Sequence, residues 1–295
     1  MIVAVLLALG SAATFSVSTS VQHHAVDSAP DDAGLLGLLG FLMRRPLWLL
    51  GHVLAATGFS LHALALHAGA IAVVQPIVVS GIIWAVPVRA AMNRRVPSGA
   101  ELRGVVLTAI GLAVFLVASN PSPGTPASRG GTSVVLVVVG VALALGSNVA
   151  AGFVRHEPRR RAFFLGVTAG VLFGLVAGLL KMSLQALDQG GFAGMLSAWP
   201  TYALLVTGAG GVLTNQRAYQ TAGLSASMPA LNIVDVLVAL LFGLTVFSEV
   251  PRHSPAMLAV QVLSLLAIGV GLVMLVRLEE RFLQGDEAPE DSLAR

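Results

Sequence analysis

The sequence predicts an all-α integral membrane protein, a bundle of about nine transmembrane helices arranged as an inverted repeat. Three observations predict it. Of the 295 residues, 56% are hydrophobic and only 11% charged, and the mean hydropathy of +0.87 lies outside the range of a soluble globule. Apolar runs of about 20 residues recur along the chain, each long enough at roughly 1.5 Å per residue to cross about 30 Å of hydrocarbon. Landmark residues also repeat in one register: Pro46 and Pro200, Gly69 and Gly223, and Val96-Pro97 and Val250-Pro251 are each 154 residues apart, and Pro76 and Pro229 are 153 apart.

Nine spans are expected: Ile2–Val21, Pro46–His67, Ala70–Met92, Leu102–Ser119, Ser133–Val154, Ala162–Leu187, Pro200–Ala222, Leu224–Phe247 and Pro255–Val276. The first is apolar from its start and lacks the Lys/Arg n-region of a signal peptide, so it reads as a span. Ala68-Gly69 and Ala222-Gly223 mark tight turns, and Asn120–Gly131, rich in Pro, Gly and Ser, reads as a connector. The organisation that follows is a first transmembrane repeat over 1–119, a linker over 120–132, a second repeat with one extra helix over 133–277, and an acidic cytoplasmic tail over 278–295. Leu35–Met43 is apolar but too short to cross as a helix, and is expected at the cytoplasmic interface. Were it to cross, the count would be ten.

Arg44, Arg45, Arg89, Arg94, Arg95, Arg103, Arg155, Arg159, Arg160, Arg161, Arg277, Arg281 and Arg295 fall on one side of this arrangement, against Arg129 and Arg252 on the other. The positive-inside rule then places the chain in the cytoplasmic (plasma) membrane with its C-terminus inside and its N-terminus outside. Five spans separate each repeated landmark from its copy. An odd number makes the copies run in opposite directions, the plan of secondary transporters whose substrate site lies between the halves.

A sequence pI near 10.2 does not point to nucleic acid, because the basic residues sit in short loops at helix ends. Cysteine is absent, which removes thiolate metal sites and cysteine nucleophiles. No stretch remains for a soluble catalytic domain, and neither a Walker A sequence nor His-Glu-x-x-His occurs. The reading is therefore a protein that is not an enzyme, has no cofactor, and draws its energy from a gradient.

Candidate functional residues are polar groups where hydrocarbon tolerates them least. Asp235 lies near the middle of Leu224–Phe247, where a carboxylate costs roughly 2.5–3.5 kcal/mol on insertion scales. Asn232 is its neighbour on one helical face. Asp235 is either a protonation site or cation ligand, or half of a structural ion pair with Arg217 or Lys181. Arg217 shares a polar stretch with Gln216 and Tyr219, which either binds substrate or knits helices together. Lys181 either faces the interior or snorkels to the outer interface. The first half offers Gln75 and His62, the latter suited to a proton relay or to plain packing. Gly166, Gly170, Gly174 and Gly178 recur every four residues as a small-residue stripe, for static packing or for sliding. Glu249 ends the eighth span and is expected to stay solvated. His23-His24 lacks the partner set of a zinc site.

Several short motifs together resemble the drug/metabolite transporter superfamily, in the EamA/NIPA-like branch of magnesium-transporter-like bacterial relatives. They are Gln22-His23-His24, Arg45-Pro46-Leu47-Trp48-Leu49-Leu50-Gly51, Val74-Gln75-Pro76, Lys181, and the run from Gln216 through Ala218, Gly223, Pro229 and Asp235 to Phe247-Ser248-Glu249. The resemblance implies an inverted-repeat bundle around a central cavity. Magnesium-transporting relatives look to carry Glu and Asn where this chain has Phe59 and Ser60. The expected function is a gradient-driven carrier of a small polar or amphipathic organic solute, with Asp235 as coupling carboxylate. The alternatives are a NIPA-like divalent-cation transporter with Asp235 as metal ligand, and a non-transporting membrane scaffold. The partners implied are the lipid bilayer and a small-molecule or ion substrate, without nucleic acid. Whether the chain forms a homodimer is left open.

Overall fold

The computed structural model describes residues 1–27, 44–92, 94, 96–120, 124, 130–222, 224–250 and 254–285, and every regular element among them is a helix. In chain order these are α1 (Ile2–Asp27), α2 (Pro46–Ala68), α3 (Ile71–Val79), α4 (Ile82–Met92), α5 (Gly99–Ser119), α6 (Gly130–Phe153), α7 (Pro158–Ser197), α8 (Trp199–Ala222), α9 (Leu224–Val246) and α10 (Pro255–Gly285). Seven of them, α1, α2, α5, α6, α7, α9 and α10, are long and apolar enough to cross a bilayer. The chain is a multi-pass helical membrane protein.

The expected count of nine rests in addition on α8 and on α3 with α4. At 24 residues α8 is long enough, but Asn215, Gln216, Arg217 and Gln220 lower its apolarity. The third predicted span is not one helix but two, divided at Ser80-Gly81. The Ser80 hydroxyl donates to the Ile77 carbonyl at 2.7 Å, and the Gly81 N–H turns back to the Val78 carbonyl at 3.1 Å. Such local bonding competes with the helical ladder, and a Gly/Ser pair is a recognised place for a kink. The predicted sixth span runs on beyond Leu187 to non-helical Gly190 and Gly191, then resumes to Ser197. Leu35–Met43 and the chain end from 286 lie outside the described residues, as do the side chains of His23 and His24.

Packing follows a pattern that occurs twice. In the first half, Ser11 Oγ donates to the Gly58 carbonyl at 2.8 Å and Ser18 Oγ to that of Gly51 at 2.7 Å, so α1 and α2 run antiparallel. Ala4 abuts Gly69 just before α3, and Ser16 Oγ donates to the Gly81 carbonyl just before α4, so α1 runs parallel to that pair. In the second half, Phe173 packs on Gly211 and Thr201 Oγ1 lies 3.2 Å from Ser183 Oγ, making α7 and α8 antiparallel. The glycine stripe of α7 meets α9 in rising order: Gly166 at Ser227, Gly170 at Leu231, Gly174 at Asp235 and Val238, Gly178 at Phe242. Those two helices are therefore parallel.

Between the halves, helices in matching register run antiparallel. Gly104 of α5 packs on Leu275 of α10, and Gln261 Nε2 of α10 donates to the Ala118 carbonyl at 3.2 Å. Ile71 and Gln75 of α3 face Gly243 and Asp235 of α9. The extra helix α6 lies against α7, where Ser147 Oγ donates to the Phe164 carbonyl at 2.8 Å and Leu175 fills the space over Gly140. Its Val134, Val135, Val138 and Val139 are exposed, as suits a lipid-facing helix. Leu66, Ile71, Val74, Leu175, Leu179, Phe242 and Phe247 form the core where α2, α3, α7 and α9 converge.

Candidate functional site

The side chains of Gln75 and Asp235 meet in the interior. Pro76 and Pro229 each remove a backbone donor from their helix, one turn from the carbonyls of Ala72 and Ser225. Gln75 Nε2 donates to Asp235 Oδ1 at 2.7 Å, and Asp235 is 6% exposed. Among the described residues no cationic side chain lies within 4.0 Å of Asp235, and the buried Gln75 Oε1 has no partner. The carboxylate is thus held by one neutral donor and keeps capacity for another. An unpaired buried acceptor costs about 1–3 kcal/mol, so the arrangement favours arrival of a donor or a cation.

Next to Pro76, between α3, α9 and α10, lies a cavity of about 50 Å³. Pro76, Val79, Ile233, Val236, Leu265 and Ile268 give it apolar walls, and Asn232 contributes an amide. Asn232 therefore lies on the cavity side, one turn before Asp235.

The remaining predicted residues disperse. Gln216 and Arg217 lie on the exposed face of α8, with Arg217 about one and a half turns from the helix end. Half-buried Tyr219 lies one turn from Asn215, whose buried Oδ1 has no partner among the described residues, on the other side of α8 from Arg217. His62 is buried on α2, its Nδ1 without a partner. The glycine stripe forms the bed of α9: a Cβ at Gly166 or Gly170 would stand 2.5 Å from a carbonyl oxygen of α9. Among the described residues no three His, Asp or Glu side chains cluster as metal ligands.

Lys181 serves neither Asp235 nor the interface. Its Nζ lies 2.6 Å from Glu249 Oε1, donates to the Gly69 carbonyl at 2.7 Å, and stands 5.1 Å from the centre of the Phe247 ring. Glu249 is correspondingly not solvated; it is 1% exposed. Its second oxygen accepts the Ala72 N–H at 3.3 Å, in the first turn of α3. No side chain of α3's own caps that helix, so a carboxylate from the far end of the chain does so, with the helix dipole in its favour. The sequence did carry a signal for this pair. Lys181 and Glu249 are opposite charges toward the same membrane face, on helices whose intervening glycines force them together.

No family model matches the chain, and no solved structure matches it. It is 30% identical over 250 residues to an uncharacterized protein of Corynebacterium glutamicum, an alignment that covers 84% of this chain and 86% of that one. The chain therefore belongs to the same family as this Corynebacterium glutamicum protein.

Proposed function

We propose that the protein is a secondary transporter of the plasma membrane that moves a small polar or amphipathic organic solute by alternating access, with Asp235 as its coupling carboxylate. The observation that carries this reading is the Gln75–Asp235 bond: a buried carboxylate without a described cationic partner, joined across register-equivalent helices, one turn from Asn232, which lines a small cavity. Intramembrane ionisable groups so placed mark pathways far more often than they stabilise folds. The antiparallel contacts of α3 with α9 and of α5 with α10 support an inverted repeat, since equivalent helices meet head to tail across an axis in the membrane plane. They also support the resemblance to the drug/metabolite transporter superfamily.

A second reading, a divalent-cation pathway, gains from one observation. Lys181 is neutralised by Glu249 and Arg217 faces outward, so neither opposes a cation at Asp235. Asp235 would then supply the charge and Gln75 and Asn232 neutral oxygens, around an ion that keeps part of its hydration shell. The test is a thermal-stabilisation screen of the purified protein against metals and against metabolites. Hits are then assayed in proteoliposomes with a pH-sensitive dye, for the parent and for Asp235→Asn. Solute-dependent proton movement lost in Asp235→Asn is the expected result. Transport that persists in Asp235→Asn with the same pH dependence overturns the coupling role. Mg²⁺ uptake lost in Asp235→Ala selects the second reading.

A further inference from the structure

The buried ion pair lies at one end of the bundle, where α2 turns into α3 and α9 ends. Both halves of the chain contribute to it. Gly69 and Ala72 come from the first, and Lys181 and Glu249 from the second. Val74, on α3 between Ala72 at the pair and Gln75 at Asp235, is buried, as are Ile71 and Val246. The backbone around it is shaped to admit the carboxylate. A Cβ at Gly243 would stand 2.5 Å from Glu249 Oε2, and one at Gly124 would stand 2.9 Å from Glu249 Cγ. Ser248, next to the glutamate, takes a left-handed φ of 55° that non-glycine residues rarely adopt.

Rigid packing does not call for charges here. A buried ion pair is replaced by well-packed apolar side chains at no loss or even a gain in stability, because desolvation offsets the attraction. What charges offer is a contact that can be parted. Once water enters, each ion is solvated, whereas parted apolar surfaces would be penalised for their exposure.

We infer that the Lys181–Glu249 pair is the closure of this end of the carrier: intact, it pins α7 and the end of α9 to the start of α3, and when parted it admits water toward Asp235. This rests on the alternating-access reading and adds the residues that bar one entrance.

The chain has no cysteine, so a single introduced one reports access directly. Val74→Cys places the probe beneath the pair, and Met228→Cys places a second near the other end of α9, each labelled with a membrane-impermeant maleimide in vesicles of both orientations. With Glu249→Gln, or with Lys181→Met should that variant not fold, Val74→Cys is expected to label at least about tenfold faster from one side only, and Met228→Cys more slowly. The apolar double variant Lys181→Leu/Glu249→Leu is expected to keep Val74→Cys as slow as in the parent. Faster labelling at both probes means a loosened fold and overturns the inference, as does an unchanged rate at Val74→Cys. These rates need no substrate, so failure of the transport assay on Asp235→Asn is read separately.

Discussion

Replacing Gly170 by alanine tests whether the α7–α9 contact is as close as the structure has it. A Cβ there would stand 2.5 Å from the Leu231 carbonyl oxygen, 2.9 Å from Val234 Cβ and 3.1 Å from Leu231 Cα. Ordinary contact begins at 3.4 Å, so α9 must retreat by about 3.4 − 2.5 = 0.9 Å, and the obstacle is backbone that no rotamer change can move. A gap of that size forfeits roughly a quarter to a half of the dispersion well for each contact it opens. The retreat is shared along the stripe to Gly166 and Gly174, so the loss should sit in the upper part of the 1–3 kcal/mol found for overpacked cores. The control is Gly208→Ala on α8, where the new Cβ would meet Val176 Cγ2 at 3.8 Å. That change is expected to be neutral or stabilising by up to about 1 kcal/mol through helix propensity. Equilibrium unfolding by SDS titration in mixed micelles measures both. Equal stability of Gly170→Ala and the parent, or equal losses in the two variants, would refute the close-packing argument.

Gln75→Leu should destabilise by about 1–3 kcal/mol, because it strips Asp235 of its hydrogen bond, and the same titration reads the loss. Asp235→Asn, which can still accept from Gln75, should retain the parent's unfolding midpoint while losing coupled transport. Ser98→Ala removes half of a capping box on α5, in which Glu101 N–H donates to Ser98 Oγ at 3.2 Å and Ser98 N–H to Glu101 Oε2 at 2.6 Å; a cost of about 1 kcal/mol is expected. A protease site inserted after Gly285 should be cut in inside-out vesicles and protected in right-side-out ones, which checks the expected cytoplasmic C-terminus by gel.

Much of the architecture is legible in the sequence because hydrocarbon makes simple demands. Long apolar runs must be helical, and every one of the nine expected spans corresponds to helix, with Ala70–Met92 divided in two. The Ser80-Gly81 pair stands in the sequence, but its local bonds compete with the helical ladder only where α1, through Ala12 and Ser16, packs on Gly81, and that contact is distant in sequence. The partner of Asp235 shows the same limit. Both candidate cations were visible as charges inside spans, yet helical rotation turns Arg217 outward, and the glycine bed delivers Lys181 to Glu249. Gln75 lay in plain view beside Pro76, but a neutral amide gives no signal of which residue it serves. The position of Glu249 at the end of a span points to solvation; only the fold of Phe247-Ser248-Glu249 back toward Gly243 turns it inward.

The two helices that the repeat expected from the sequence makes equivalent, α1 and α7, do not share the same surroundings. In the most apolar stretch of α7, 67% of the positions are buried, against 33% in α1, because among the described residues α7 is flanked by α6, α8 and α9 together. Rotating α7 would strip it from several neighbours at once, whereas α1 has fewer buried positions to uncover among the described residues. Under the proposed alternating access, α7 with its neighbours is the fixed mast of the bundle and α1 the swinging boom.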